Sequence, residues 1–326
     1  MRIHLQSKPS PSNFPLTQQL WDEAAARAPD VSSGHDVSFG LDAAAFLAAA
    51  PEIEVLISQT AALADLLPIE APNLKMVFMT SAGLEKLAPF DWLPPGVPLL
   101  NNRGTHAVKA GEFGIMALLM LACRIPALAT AQRRGEWTPM HGSALTGRRL
   151  TVVGVGTLGG STATLARQFG MRVTGVRNSP APHEACERVI GMANLDDVLR
   201  ESEFLVLAPP LTPATQGMLS RERLALLPKG AGVVNIGRGG LVDQDALLDA
   251  LDAGHLSGAV LDVFTPEPVP PGHRLWGTPN LVMTPHISAD DPNTYNPRTL
   301  DIFFENLRAL RDGTVLPNLF DPERGY

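Results

Sequence analysis

The chain is poor in cysteine and in basic charge, and it has no long apolar run. Cys123 and Cys186 are its only cysteines. Two thiols outside a Cys-x-x-Cys pair cannot build a disulfide scaffold or a zinc cluster. They are therefore expected to be buried or idle thiols in a reducing cytosol. Lys and Arg number 26 against 33 Asp and Glu, a formal net charge of −7. An acidic chain with no long basic run is a poor partner for nucleic acid or an anionic membrane surface. No apolar stretch reaches the roughly 18 residues of a membrane-spanning helix, and the N-terminal MRIHLQSKPSPSN lacks the apolar core of a secretory signal. The eight histidines show no paired ligand spacing, so no metal site is expected. These absences leave a cytoplasmic globular protein. Its 326 residues, 45% hydrophobic, exceed the roughly 250–300 at which single cores stop growing, which predicts more than one domain.

Short runs of Val, Ile and Leu alternate with longer Ala/Leu-rich stretches, the pattern of a parallel sheet with crossover helices. Before residue 100, strands are predicted at Arg2–Leu5, Val55–Ile57 and Met76–Met79, with helices at Thr17–Ala28, Leu41–Ala50 and Ala61–Leu67. A long apolar helix is predicted over His106–Cys123, then a basic, polar stretch over Gln132–Arg149. The strand-then-helix rhythm restarts at Leu150–Gly154 and continues at Arg172–Val176, Phe204–Ala208, Gly232–Ile236, Gly258–Leu261 and Leu281–Thr284. Six strands after residue 149 make one nucleotide-binding sheet, and the first hundred residues make a smaller α/β unit. A final amphipathic helix is predicted over Pro297–Asp312.

The strand Leu150-Thr151-Val152-Val153 runs directly into Gly154-Val155-Gly156-Thr157-Leu158-Gly159. Glycine pairs also close ordinary turns, but a strand before and a helix after are the setting in which G-x-G-x-x-G binds a dinucleotide. Gly154 permits the tight turn, Gly156 the close approach of a pyrophosphate, and Gly159 the close packing of helix on strand. The first helical turn, at Thr157 and Leu158, offers N–H groups to the phosphates. An NAD site places an acid at the end of the second strand. Here Val173–Val176 ends in Arg177-Asn178-Ser179. A guanidinium pairs with a 2′-phosphate where an acid would repel it, so NADP(H) is expected to be preferred, with NAD(H) also possible.

Three later segments carry polar side chains at strand ends: Asn235-Ile236-Gly237-Arg238-Gly239-Gly240, Asp262-Val263-Phe264-Thr265-Pro266-Glu267-Pro268 and Thr284-Pro285-His286-Ile287-Ser288. Alone, Arg238 could be a surface ion pair, Glu267 a solvated loop acid and His286 a structural histidine. Delivered to the carboxyl edge of one sheet beside a dinucleotide turn, they are expected to form a site.

With these blocks the chain resembles the D-isomer-specific 2-hydroxyacid dehydrogenase family and, at Arg177, its NADP-type glyoxylate/hydroxypyruvate reductases. The resemblance implies an α/β protein of two Rossmann-like, doubly wound domains with parallel sheets and an active site in the interdomain cleft. Residues 1–102 plus 287–326 would bind substrate, and 103–286 the dinucleotide. It implies His286 as general acid, with Glu267 as the carboxylate that favours its imidazolium form. Arg238 would bind the substrate carboxylate and polarise the carbonyl, with the backbone of Ala82 and Gly83 as further substrate contacts. Asp262 would lie near the nicotinamide amide, and Pro209, Ile236 and Ser288 would complete the cofactor site. The loop Ser81-Ala82-Gly83-Leu84-Glu85 and the segment Asn101–His106 depart from the family pattern. A homodimer is also implied, to which the Met-rich helix near Phe113–Leu121 would contribute. The expected function is NADPH-preferring reduction of a small 2-oxo acid, of glyoxylate or hydroxypyruvate type, to the D-2-hydroxy acid. Competing classes are a dinucleotide-sensing protein of corepressor type and a dehydrogenase of another small anion, such as phosphite or formate.

Overall fold

The computed structural model describes residues 1–9 and 15–322. They form two compact units, the described residues of 1–105 with 291–322, and His106–Asp290.

In the N-terminal unit five parallel strands, β1 (Arg2–Gln6), β2 (Asp36–Gly40), β3 (Val55–Ser58), β4 (Met76–Met79) and β5 (Leu99–Leu100), lie in the order β2-β1-β3-β4-β5. β3 and β4 are buried along their whole length, which is why they appear in the sequence as unbroken apolar runs. β2 and β5 were not expected. β2 is an edge strand that alternates exposed and half-buried residues, and β5 has only two residues. Helices α1 (Gln18–Arg27), α2 (Pro29–Ser32), α3 (Ala43–Ala49) and α4 (Thr60–Ala64) flank this sheet. Thr17 and Asp42 cap α1 and α3 by accepting the N–H groups of Leu20 and Ala45.

The second unit opens with α5 (Ala107–Ala122) and α6 (Ile125–Arg133). α6 was not expected; it starts Ile-Pro directly after Arg124 at φ 60°. The sheet comes next: β6 (Arg149–Val153), α7 (Thr157–Gln168), β7 (Arg172–Val176), β8 (Arg188–Ile190), α8 (Leu195–Leu199), β9 (Phe204–Leu207), α9 (Arg221–Leu226), β10 (Ala231–Asn235), α10 (Gln244–Asp252), β11 (Leu256–Leu261) and β12 (Leu281–Met283). It has seven parallel strands rather than six, in the order β12-β11-β10-β9-β6-β7-β8. The strand missed is β8, a three-residue edge strand with no fully buried residue. This is the doubly wound dinucleotide-binding order, which reverses where β6 meets β9. The registers Val153↔Val176, Val153↔Leu207, Leu207↔Asn235, Asn235↔Leu261 and Leu261↔Met283 end six strands at one level. The loops after them therefore leave the sheet side by side.

The chain then returns to the N-terminal unit as α11 (Tyr295–Asp312). Phe303 and Phe304 stack on Trp21 of α1 at 5.9 and 5.0 Å, and Phe303 meets Phe78 of β4 at 5.6 Å. Asn318 Nδ2 donates to the Arg103 carbonyl at 2.8 Å and Thr105 Oγ1 to Asn102 Oδ1 at 2.6 Å. Residues 103–105 thus stay with the N-terminal unit, while Ile287 and Ser288 are bonded to Asp262 of the second unit. The division accordingly lies a few residues later than 102 and 286.

Candidate active site

The glycine turn is shaped by close contacts that leave no room for a Cβ. Gly154 has φ +85°, and a Cβ on it would lie 2.5 Å from the backbone nitrogen of Pro209. A Cβ on Gly159 would lie 2.2 Å from the Gly154 carbonyl oxygen and 2.9 Å from Val152 Cγ1. The helix start therefore sits directly on the strand end. Gly156 is different: a Cβ there would meet nothing within 4 Å. Among the described residues no side chain caps α7, and the space beside Gly156 at its start is open. A polyanion fits that space, held by backbone N–H groups and the helix dipole. Beside it, at the end of β7, Arg177 is half-buried and Asn178 and Ser179 are exposed.

At the end of β10 a buried asparagine sets the next loop. Asn235 accepts from Gly237 N at 3.1 Å and donates to the Arg238 carbonyl at 3.0 Å, a two-point clamp on the tight turn. Gly239 lies against the Phe264 backbone, where a Cβ would be 2.1 Å from its carbonyl oxygen. The Arg238 guanidinium is half-buried, and its Nη1 donates to the Gly237 carbonyl at 2.9 Å. Ile236 is buried, 2% exposed.

The loops after β11 and β12 meet. Glu267 Oε2 lies 2.9 Å from His286 Nδ1, with side-chain exposures of 35% and 49%. Glu267 Oε1 is held in turn by the Phe264 N–H at 2.8 Å. An ionised carboxylate only accepts, so the ring nitrogen in this contact, Nδ1, carries a proton. His286 occupies the left-handed region at φ 57°, a conformation that costs a non-glycine residue about 1–3 kcal/mol. Asp262 directly follows β11. It is 0% exposed, and both its carboxylate oxygens accept from the β12 loop, including the N–H of Ser288. Ser288 itself is buried.

In the N-terminal unit, Ala82 and Gly83 follow β4 and are half-buried. Their loop is tied by Asn101 Nδ2 to the Ala82 carbonyl at 3.0 Å, by Asn102 N to the Ser81 carbonyl at 3.1 Å and by the Tyr295 hydroxyl to the Thr80 carbonyl at 2.5 Å.

Sequence reasoning gave no role to Asn235, Thr284, Gln244 or Tyr295. Gln244 opens α10 and bonds both backbone groups of Thr265, at 3.2 and 3.3 Å, steadying the loop that carries Glu267. A polar residue closing an apolar strand marks Asn235 in the sequence, and one directly after a strand marks Thr284. Nothing local marks Gln244 or Tyr295.

Residues 115–288 match the model of the D-isomer specific 2-hydroxyacid dehydrogenase NAD-binding domain. The chain is 33% identical over 261 residues to a glyoxylate reductase of Korarchaeum cryptofilum, covering 78% of each. It is 32% identical over 282 residues to a D-3-phosphoglycerate dehydrogenase of Mycobacterium bovis, covering 86% of this chain and 53% of that one. Among solved structures, it superposes with a TM-score of 0.83 on the NADPH-dependent glyoxylate/hydroxypyruvate reductase of Sinorhizobium meliloti in complex with NADP and sulfate, at 27% identity over 100% of this chain and 99% of that one. A helix-seated glycine turn, a guanidinium loop and an imidazole–carboxylate pair along one sheet edge, together with these matches, place the chain in the D-isomer specific 2-hydroxyacid dehydrogenase family, as an NAD(P)-dependent oxidoreductase of two parallel-sheet α/β domains.

Proposed function

We propose that the enzyme reduces a small 2-oxo acid of the glyoxylate or hydroxypyruvate type to the D-2-hydroxy acid, with NADPH preferred over NADH. The 2.9 Å contact between His286 and Glu267 carries this reading. Glu267 fixes the ring by accepting from its Nδ1–H, and His286 Nε2–H donates the proton to the carbonyl oxygen as charge develops there. Arg238 receives the substrate carboxylate, for which its planar fork is suited, and draws electron density from the adjacent carbonyl. The dinucleotide is held at Gly154, Gly156, Thr157, Leu158 and Gly159, flanked by Pro209 and Ile236, and when bound its reduced nicotinamide supplies the hydride. Arg177 pairs with a 2′-phosphate, helped by the Asn178 amide and Ser179 hydroxyl.

Steady-state kinetics with NADPH and NADH against a panel of 2-oxo acids test the reading. The expected result is a lower KM for NADPH and turnover of glyoxylate and hydroxypyruvate. A clear NADH preference would overturn the cofactor assignment. Turnover confined to phosphohydroxypyruvate, or to bulky branched or aromatic acids, would overturn the substrate class.

We further infer that the enzyme is a cytoplasmic homodimer. The outer face of α5 presents an apolar hollow of about 390 Å³ bordered by Ile115, Met116, Leu119, Met120 and Ile125. Met116 and Ile125 are 42% and 40% exposed, and a second copy would cover them.

A further inference from the structure

We propose that Asp262 is a positioning residue for proton transfer, which acts by locking the turn that carries His286. The proposal rests on the reading of His286 as proton donor. Asp262 follows the last residue of β11 and is completely buried. Its Oδ1 accepts from Thr284 Oγ1 at 2.6 Å and from Ile287 N at 2.9 Å, and its Oδ2 accepts from Ser288 N at 2.9 Å. Its backbone carbonyl accepts from His286 N at 2.9 Å, and its own N–H donates to the Asn235 carbonyl at 3.0 Å. One residue thus ties the end of β10, from which the guanidinium loop leaves, to the Thr284 hydroxyl before His286 and to the backbone after it.

Every side-chain partner of Asp262 is a donor. An ionised carboxylate satisfies all of them at once because it only accepts. An amide of the same shape would turn an NH₂ group against one of these donors. The clamp fixes Thr284, Ile287 and Ser288, so the histidine among them is held at φ 57° although it is not glycine. Such a conformation persists only where its surroundings over-determine it. Glu267 is anchored separately, through the Phe264 N–H. The two members of the pair are therefore each fixed from their own backbone, and the 2.9 Å contact results from those two anchors.

The test compares Thr284→Val, Thr284→Ser and Asp262→Asn in the full chain. It measures kcat with glyoxylate and NADPH, and the binary Kd for NADPH by fluorescence. Thr284→Val is expected to lower kcat about tenfold or more, as loss of sub-ångström placement does, with Kd for NADPH unchanged within twofold. Thr284→Ser, which keeps the hydroxyl, is expected to restore kcat. Asp262→Asn is expected to lose more than Thr284→Val. If it fails to fold, the threonine pair alone decides. A folded Thr284→Val protein with wild-type kcat overturns the proposal, as does a rise in Kd for NADPH as large as the fall in kcat, which would place Asp262 at the nicotinamide. A His286→Gln control separates the two levels. If that variant keeps wild-type kcat, the proton-donor reading falls; if it loses kcat while Thr284→Val does not, the positioning role of Asp262 alone falls.

Discussion

His286 combines a left-handed backbone with a carboxylate on Nδ1. The first feature aims the ring and the second fixes Nδ1 as the nitrogen whose proton faces Glu267. Replacing it with Gln preserves a polar group of similar reach but supplies no transferable proton. General acid catalysis contributes about 10²–10⁴-fold, so His286→Gln is expected to lose at least about 10²-fold in kcat, with NADPH affinity retained. Glu267→Gln keeps a hydrogen-bond acceptor and removes the charge, and a smaller loss is expected. Steady-state kinetics with glyoxylate check both, and a kcat for His286→Gln within a few fold of wild type would remove the acid assignment. The positions of Arg238, Glu267 and His286 were legible because each is polar and stands just beyond an apolar strand. The bonding of Asp262 was not. Its partners include backbone N–H groups 25 and 26 residues further along, and no side-chain pattern announces a backbone donor.

Elements were legible in proportion to how deeply the fold buries them. β3, β4, β6 and β9 are apolar runs bounded by turns, and their predicted limits fall within a residue of those observed. β2, β5 and β8 are edge or very short strands, held by pairing with a neighbour rather than by their own composition. The glycine turn was legible because its three glycines meet backbone or open space in ways that residue type alone encodes. Gly159 is the strictest, since the atom 2.2 Å from a Cβ there is a carbonyl oxygen of the same turn and cannot rotate away. Gly159→Ala must push α7 off β6. Overpacking of this kind costs about 1–3 kcal/mol, so lower thermal stability and weakened NADPH binding are expected together. A variant with unchanged melting temperature and unchanged Kd for NADPH would show that the turn can shift without cost.

For the molecule as a whole, composition excluded more than it identified. A net charge of −7 and two cysteines narrowed the class, and the order of blocks along the chain then carried the family. Assembly is written in surface chemistry instead. The exposed Met116 and Ile125 on and just beyond α5 are expected to lie within a contact between two copies. Light scattering of the full chain at micromolar concentration should then give twice the mass of one chain, and Met116→Glu should lower it. A wild-type protein that scatters as a single chain while fully active would exclude the dimer as a functional requirement.

Six strands of the larger sheet stop on one line, from Val176 through Val153 and Leu207 to Asn235, Leu261 and Met283. One residue inserted before that line in any strand would raise the loop beyond it by about 3.3 Å and turn its side chains to the opposite face. The same residue inserted beyond the line would merely lengthen a loop. Variation in this scaffold is thereby steered into the connecting segments, where new acids can be accommodated while the hydride-transfer apparatus keeps its alignment.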